Sequence, residues 1–135
     1  GGGLCIQQPA VPNDSEDFAA FQTGVTGDYH PQLRNLTFTK NTATVKGGGL
    51  AISTRSNPLV HLSSFTGNYA VFGGAIYIED NLDAKISQLE IHGNSADYGG
   101  GIVAFGTSKG NIYNSTLQAN YASFSGGAIV TGGSS

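Results

Sequence analysis

Carboxylates and histidines are the side chains of this 135-residue sequence best suited to acid–base catalysis or metal binding. Glu79, Asp80 and Asp83 share one short segment and could form a weak cation site, although they lack the fixed ligand spacing of a calcium loop. Histidines at positions 30, 61 and 92 could contribute to a zinc site. Cleavage of polysaccharides would need such groups on one face. Whether they meet depends on the elements that position them.

A repeat of about 26 residues supplies those elements. Its four copies are the segments 38–50, 65–76, 91–102 and 117–129, and each holds an asparagine followed by glycines. The asparagines, Asn41, Asn68, Asn94 and Asn120, are spaced by 27, 26 and 26 residues. From the aliphatic residue that closes one glycine motif to the next asparagine the count is always 18. This fixed register indicates coils that stack as a solenoid.

The residue types within each copy favour strands over helices. The copies are rich in β-branched and aromatic residues, and each carries adjacent glycines that helices would not tolerate. Three short strands per coil, each paired with its equivalent one coil on, give parallel sheets that rise about 4.8 Å per coil. The sequence therefore predicts an all-β, right-handed parallel β-helix of roughly four to five coils. Residues 33–131 form the regular repeats, and 1–135 form a single segment of a larger protein.

Equivalent positions in successive coils have the same chemistry, which predicts the core. Three columns are apolar throughout, and a column of alanines two residues after each asparagine indicates a tight corner. The apolar columns are Leu33, Val60, Ile86 and Ile112, then Phe38, Phe65, Ile91 and Leu117, and finally Leu50, Ile76, Ile102 and Ile129. The alanines are Ala43, Ala70, Ala96 and Ala122.

The repeated asparagines are interpreted as a structural ladder and not as a polar binding row. Asparagine tolerates left-handed backbone at a sharp turn, and stacked amides hydrogen-bond from one coil to the next. The glycines supply positive φ or a close backbone approach at the neighbouring corner. They are not a phosphate loop, because that fingerprint needs a following helix. The predicted turn glycines are Gly47, Gly48, Gly73, Gly74, Gly99, Gly100, Gly126 and Gly127.

The same register separates the candidate catalytic groups. Glu79 aligns with Ser53 and Phe105, no acid stacks on another acid, and the histidines fall at three different repeat positions. The sequence also lacks a Gly-x-Ser-x-Gly elbow and a plausible Cys–His pair. We therefore predict no catalytic residues, no metal ligands and no cofactor.

A fourth column, Val45, Phe72, Tyr98 and Phe124, is mostly aromatic. Stacking within the fold is the favoured interpretation, because aromatic rings dominate interior packing. The alternative is a platform for sugar rings. Because many parallel β-helices are polysaccharide lyases or hydrolases, a carbohydrate-active enzyme or a sugar-binding module is the alternative to a non-catalytic scaffold.

Asn13, Asn35 and Asn114 are candidate N-glycosylation sites, since each opens an Asn-x-Ser/Thr acceptor. Asn35 and Asn114 share one repeat position, six residues before the ladder asparagine. Their modification would require passage through a eukaryotic secretory pathway.

An inserted loop is predicted at residues 7–30, because Leu4 lies 37 residues before Asn41 instead of 18. Solenoid loops project from one face and often bind partners, although a solvated loop is the alternative. Its candidate contact residues are Asp14, Glu16, Asp17, Phe18, Phe21 and Tyr29.

Charge and the chain ends restrict the partners. The net charge is -3 and the six Lys and Arg residues are scattered, so no basic stripe for nucleic acid is expected. No apolar run is long enough to span a membrane. The opening GGGLCI matches GGGLAI at 47–52, so we expect preceding chain. At the other end we expect further coils, or other copies stacked end to end into a filament.

Two motifs resemble the repeats of chlamydial polymorphic outer-membrane proteins, namely Gly-Gly-Ala followed by an aliphatic residue and Phe-x-x-Asn. The first motif occurs without substitution at 73–76 and 126–129, and the second occurs without substitution at 38–41 and 65–68. The whole match spans residues 33–131. The resemblance implies a β-helical passenger exposed at a cell surface, acting in adhesion or as a stalk without catalytic residues. Extracellular localisation and host or matrix glycan partners are the corresponding expectations.

Overall fold

The computed structural model describes residues 3–7, 31–53, 57–80, 83–108 and 110–133. Within these ranges the chain forms sixteen short strands. None of the described residues forms a helix that could cross a membrane. The strands are β1 Leu4–Gln7, β2 Gln32–Arg34, β3 Thr37–Thr39, β4 Leu50–Ser53, β5 Leu59–His61, β6 Ser64–Thr66, β7 Tyr69–Phe72, β8 Ile76–Glu79, β9 Lys85–Ser87, β10 Glu90–His92, β11 Ser95–Tyr98, β12 Ile102–Phe105, β13 Asn111–Tyr113, β14 Thr116–Gln118, β15 Tyr121–Ser125 and β16 Ile129–Gly132.

All strand pairs are parallel, and each strand pairs with its equivalent one coil on. The four sheets have the orders β1-β4-β8-β12-β16, β2-β5-β9-β13, β3-β6-β10-β14 and β7-β11-β15. Val60 lies opposite Ile86, and Ile76 lies opposite Ile102, which fixes the coil at 26 residues. The predicted all-β parallel β-helix and its period are therefore confirmed. Leu4 lies opposite Leu50, so the predicted insertion falls within one coil. Gln7, the first residue of the predicted loop, belongs to β1 and lies opposite Ser53, and residues 8–30 lie outside the described ranges.

The coils β5–β8, β9–β12 and β13–β16 have four strands each, so the expectation of three was wrong. In the coil before them, isolated bridges at Thr42 and Lys46 take the place of the fourth strand. In the second coil a residue with positive φ follows each strand, and these residues are Leu62, Gly67, Gly73 and Asp80, with φ of 50°, 65°, 69° and 48°. Left-handed backbone at four points bends the chain at four corners and keeps the strands short, at three to five residues. Leucine rarely adopts this conformation, which is why the sequence indicated fewer corners.

The apolar columns fill the interior, except in the last described coil, where Ile112 and Leu117 are only partly buried and Ile129 is 42% exposed. Leu50, Ile76 and Ile102 are completely buried, as are Val60 and Ile86. The rings of Phe38 and Phe65 stack in parallel with their centroids 4.6 Å apart. Burying each of these side chains stabilises the fold by roughly 1.5–3 kcal/mol, so the core columns predicted from the period hold the coils together.

The four repeated asparagines form one continuous hydrogen-bonded ladder. Oδ1 of Asn94 accepts hydrogen bonds from the backbone N–H and from Nδ2 of Asn68, both at 2.9 Å. Nδ2 of Asn94 donates to Oδ1 of Asn120 at 3.0 Å and to the carbonyl oxygen of Phe65 at 2.9 Å. The link from Asn41 to Asn68 has the same form. Asn68 and Asn94 are completely buried, so the ladder satisfies polar groups that water cannot reach.

Left-handed backbone does not occur at the ladder asparagines, contrary to our expectation. It occurs at the residue before each of them, at Lys40, Gly67, Gly93 and Ala119. The preceding residue makes the turn, and the asparagine is left free to hold its amide in the interior. The asparagines are thus present for their side-chain hydrogen bonds and not for their backbone freedom.

The first two glycines of each motif have different physical roles. Gly73 has a φ of +69°, in the left-handed region. Gly74 makes a close backbone approach, because a methyl group added to it would lie 2.5 Å from the carbonyl oxygen of Ser95 and would also meet the carbonyl of Gly100. The first glycine permits the turn, and the second permits adjacent coils to approach each other.

Replacement of Asn94 by alanine should lower the free energy of unfolding by about 4 kcal/mol. The change leaves the N–H groups of Asn68 and the carbonyl of Phe65 buried without their partners, at about 1–3 kcal/mol for each unpaired group. Urea unfolding followed by circular dichroism measures the loss. The control is Asn111→Ala, at an exposed position of β13, which should change stability by less than about 0.5 kcal/mol. Similar losses in both variants would contradict a stabilising ladder.

The variants Gly74→Ala and Gly93→Ala should separate close approach from left-handed backbone. Gly93 has a φ of +63° with nothing within 4 Å of an added methyl group, so its substitution should cost about 1–2 kcal/mol. Gly74→Ala should cost about 3 kcal/mol or more, because backbone atoms must move. Thermal unfolding of the two variants tests this order. Equal midpoints would show that the coils can separate at no extra cost.

Candidate functional site

The carboxylates on the outer surface do not converge. Glu79 lies opposite Ser53 and Phe105, and Glu90 lies opposite Ser64 and Thr116, as the repeat predicted. Among the described residues no group of three His, Cys, Asp or Glu side chains is placed to hold a metal ion.

The acidic turn suggested as a weak cation site uses its carboxylates locally. Oδ1 of Asp80 accepts a hydrogen bond from the backbone N–H of Thr107 at 3.2 Å. Asp83 forms an ion pair with Lys85 at 3.6 Å, and Glu79 pairs with Lys46 at 2.7 Å. The three carboxylates therefore point to three separate partners instead of one shared centre.

The histidines also lie apart. His61 is in β5 and His92 is in β10, and these strands belong to different sheets. Nδ1 of His61 lies 2.8 Å from Oγ of Ser87, one coil away. His30 lies outside the described residues.

The aromatic column is a stack of three rings with a register different from the predicted one. The ring centroids of Phe72 and Tyr98 are 5.2 Å apart, and those of Tyr98 and Phe124 are 5.4 Å apart. Lys46, and not Val45, lies opposite Phe72. The turn from Asn41 to Gly47 has one residue more than the next turn, and this extra residue shifts Val45 out of the column. The turn from Asn120 to Gly126 also has one extra residue, and β15 accommodates it with a bulge where it pairs with β11, between Ala96 and Tyr98.

This aromatic stack is poorly suited to hold sugar rings. The planes of Phe72 and Tyr98 are 12° apart, and those of Tyr98 and Phe124 are 29° apart, so neighbouring rings cover one another's faces. A sugar binds to an open ring face. Phe124, at the end of the stack, is 71% exposed, whereas Tyr98 lies between two rings and is 37% exposed. The geometry thus agrees with stacking within the fold.

A cluster of Lys46, Tyr77 and Glu79 covers the glycine corner from the outside, and it was not expected from the sequence. Tyr77 lies between the core residues Ile76 and Ile78, so strand alternation points its ring outward, yet it is only 3% exposed. Nζ of Lys46 lies 4.8 Å from the centre of the Tyr77 ring and 2.7 Å from Oε2 of Glu79. The sequence signal for this cluster is the extra residue between Asn41 and Gly47, because it places Lys46 opposite Phe72 of the next coil.

The electrostatics of this cluster hold both Lys46 and Tyr77 in their protonated forms. Burial raises the pKa of the Tyr77 phenol, and the hydrogen bond to Glu79 raises the pKa of Lys46. A phenol with a raised pKa is a poor base or nucleophile at neutral pH. The ion pair and the cation–π contact therefore stabilise the corner.

Two shallow grooves lie on either side of another corner, which remains open. The corner residues Asn35, Leu62, Gln88 and Asn114 all have positive φ. One groove, of about 310 Å³, follows Asn35, Thr37, Ser64 and Glu90, among other residues. The other, of about 370 Å³, is named the corner groove here and is lined by Arg34, Leu59, His61, Ser87, Gln88, Tyr113 and Asn114.

Two of the three glycosylation candidates lie at this open corner. Asn35 and Asn114 are exposed, and both have left-handed backbone, with φ of 54° and 49°. Asn13 and the predicted contact residues of the inserted loop lie outside the described residues. Those contact residues are Asp14, Glu16, Asp17, Phe18, Phe21 and Tyr29.

Tyr77 should ionise at higher pH than its ordinary value of 10.0, because its burial disfavours phenolate. Since the folded pKa values of Tyr77 and Lys46 are both raised, their contribution to stability is complete below the unfolded pKa values and is lost as pH rises through the folded ones. Alkaline titration of phenolate absorbance should show a late step that is absent from Tyr77→Phe. Tyr113→Phe should retain that step. Loss of the late step in both variants would show that Tyr77 does not produce it.

Comparison with known proteins agrees with the described topology. Residues 12–135 match the family model of the right handed beta helix region. No curated protein and no solved structure matches the chain significantly. Because the family model covers most of the sequence, and because the described strands stack in parallel coils of about 26 residues, the chain belongs to the right-handed β-helix family.

Proposed function

We propose that this chain is a non-catalytic structural or adhesive β-helix segment of an extracellular or cell-surface protein. The observation that carries the proposal is the division between repeated and variable residues. The residues repeated in every coil are buried apolar side chains, ladder asparagines and corner glycines. The outward positions change from coil to coil, as at Glu79 and Phe105. The repeat thus maintains a scaffold.

The described carboxylates support a role without catalysis. Glycoside hydrolysis uses two carboxyl groups about 5 to 10 Å apart that flank the scissile bond. Among the described residues the outward acids occupy separate columns, and Glu79 is held in an ion pair with Lys46. Their arrangement provides pairing within the scaffold and leaves no acid–base couple over a common surface of the described residues.

A structural role also agrees with the way the coils are joined. Ladder hydrogen bonds and parallel strand pairing repeat in each coil step, so each step adds about 4.8 Å of length with the same contacts. We propose that its partners are neighbouring coils of the same protein or other copies stacked end to end in a stalk or filament.

The surface location rests on the resemblance of the repeats to chlamydial polymorphic outer-membrane proteins and on the composition. Charged residues make up 11% of the chain, and two Asn-x-Ser/Thr acceptors are exposed at the open corner. These features favour a secreted protein, glycosylated where its source has the necessary pathway.

Incubation with acidic and neutral polysaccharides should release no reducing ends above the level of heat-denatured chain. The expectation follows from the dispersed carboxylates and from the protonated state of Tyr77. The assay requires the full chain, verified as folded by circular dichroism, together with sensitive detection of reducing ends.

Glu79→Gln and Tyr77→Phe are the matched variants for this assay. Product release by the folded chain that is lost in either variant would overturn the non-catalytic proposal and would assign chemistry to the glycine corner. Product release that survives in both variants would also overturn the proposal, and would assign the chemistry to other residues.

A further inference from the structure

The corner groove carries a cation without a protein partner. Among the described Lys and Arg residues, Lys46 pairs with Glu79 and Lys85 pairs with Asp83. Arg34 and Lys40 form no ion pair within the described part of the chain, and of these two only Arg34 lines the corner groove. Arg34 is exposed, and no carboxylate lines the groove beside it. In a chain of net charge -3, this is a local positive site.

Arg34 belongs to a column that offers other binding groups in register. It lies opposite His61, His61 lies opposite Ser87, and Ser87 lies opposite Tyr113. The contact between Nδ1 of His61 and Oγ of Ser87 holds the imidazole in place. From Arg34 to Tyr113 there are three coil steps, or about 14 Å along the axis, which is the length of a short oligosaccharide.

Tyr113 differs from the rings of the aromatic stack. It is 48% exposed and makes no stacking contact with another described ring, so its face is open. An open aromatic ring at one end and a guanidinium at the other suit a ligand with an apolar ring face and an anionic group. Between them Gln88 and Asn114 provide amides that could bind hydroxyl groups.

We propose that the corner groove binds an anionic oligosaccharide that lies along the helix axis. Arg34 binds a carboxylate or sulfate group through its planar, two-pronged guanidinium, and Tyr113 stacks on a sugar ring. This inference deepens the proposed adhesive role and rests on it. An N-glycan on Asn114 would stand at the edge of the same groove, so binding is tested on chain produced without N-glycans.

Isothermal titration measures binding of a glucuronate-containing tetrasaccharide to the full chain and its variants. Arg34→Gln should weaken binding about tenfold or more, because the charge-assisted pair is lost. Arg34→Lys should weaken it less, and Tyr113→Ala should weaken it about fivefold through loss of ring contact. Lys40→Gln is the matched control, since Lys40 is an exposed cation that does not line the groove, and it should leave affinity within about twofold.

Three further probes distinguish the chemistry of the ligand. The methyl ester of the tetrasaccharide should bind the chain about as weakly as the acid binds Arg34→Gln. A sulfated tetrasaccharide without carboxylates distinguishes sulfate from carboxylate recognition, and Arg34-dependent binding of either supports the proposal. Sodium sulfate alone should bind much more weakly than either sugar.

Several results would overturn the inference. These are equal losses in Arg34→Gln and Lys40→Gln, equal affinity for the acid and its ester, tight binding of free sulfate, or no binding of any saccharide. Each of them leaves the scaffold proposal intact. Cleavage of the bound tetrasaccharide would instead refute the non-catalytic proposal while supporting the groove as a saccharide site, so the two failures are distinguishable.

Discussion

The ladder of buried amides is the interaction on which the coil register depends. Each interior asparagine is bonded to the coils on both sides, through an oxygen that accepts two hydrogen bonds and a nitrogen that donates to an amide and to a carbonyl. A slip of one residue would leave buried donors and acceptors unpaired and would turn every core side chain outward. The amides thus specify alignment, while the apolar columns around them supply most of the stabilisation.

Alignment of the coils has a consequence for the outer surface. Because the buried columns and the corner glycines are fixed by packing, the side chains that point outward can differ from coil to coil with little effect on the fold. Two corners show the result. The glycine corner is closed by Tyr77, Lys46 and the aromatic stack, whereas the corner at Asn35 and Asn114 remains open and lined by polar groups. A contact function is therefore better placed at the open corner.

The period predicted the fold well because it is a property of the whole chain. Counting residues between asparagines identified the partners of Val60, Phe65 and Ile76 without knowledge of any contact. The same counting failed at Val45, because one extra residue in that turn moves Val45 out of the column and places Lys46 opposite Phe72. It also gave too few corners, since Leu62 and Gln88 adopt left-handed backbone that their side chains do not favour. Tertiary pairing of the coils imposes that conformation, and local propensity cannot indicate it.

The surface sites could not be predicted in the same way, because they depend on side-chain direction more than on position. Phe72 and Tyr98 were identified as a column, yet only their nearly parallel planes show that the rings cover one another. Arg34 and Tyr113 lie three coils apart in a column that carries a different residue type in each coil, so no repeated motif marks them. In a solenoid of this kind the residues that repeat in every coil determine the architecture. Its binding specificity must therefore be sought in the outward residues that break the repeat.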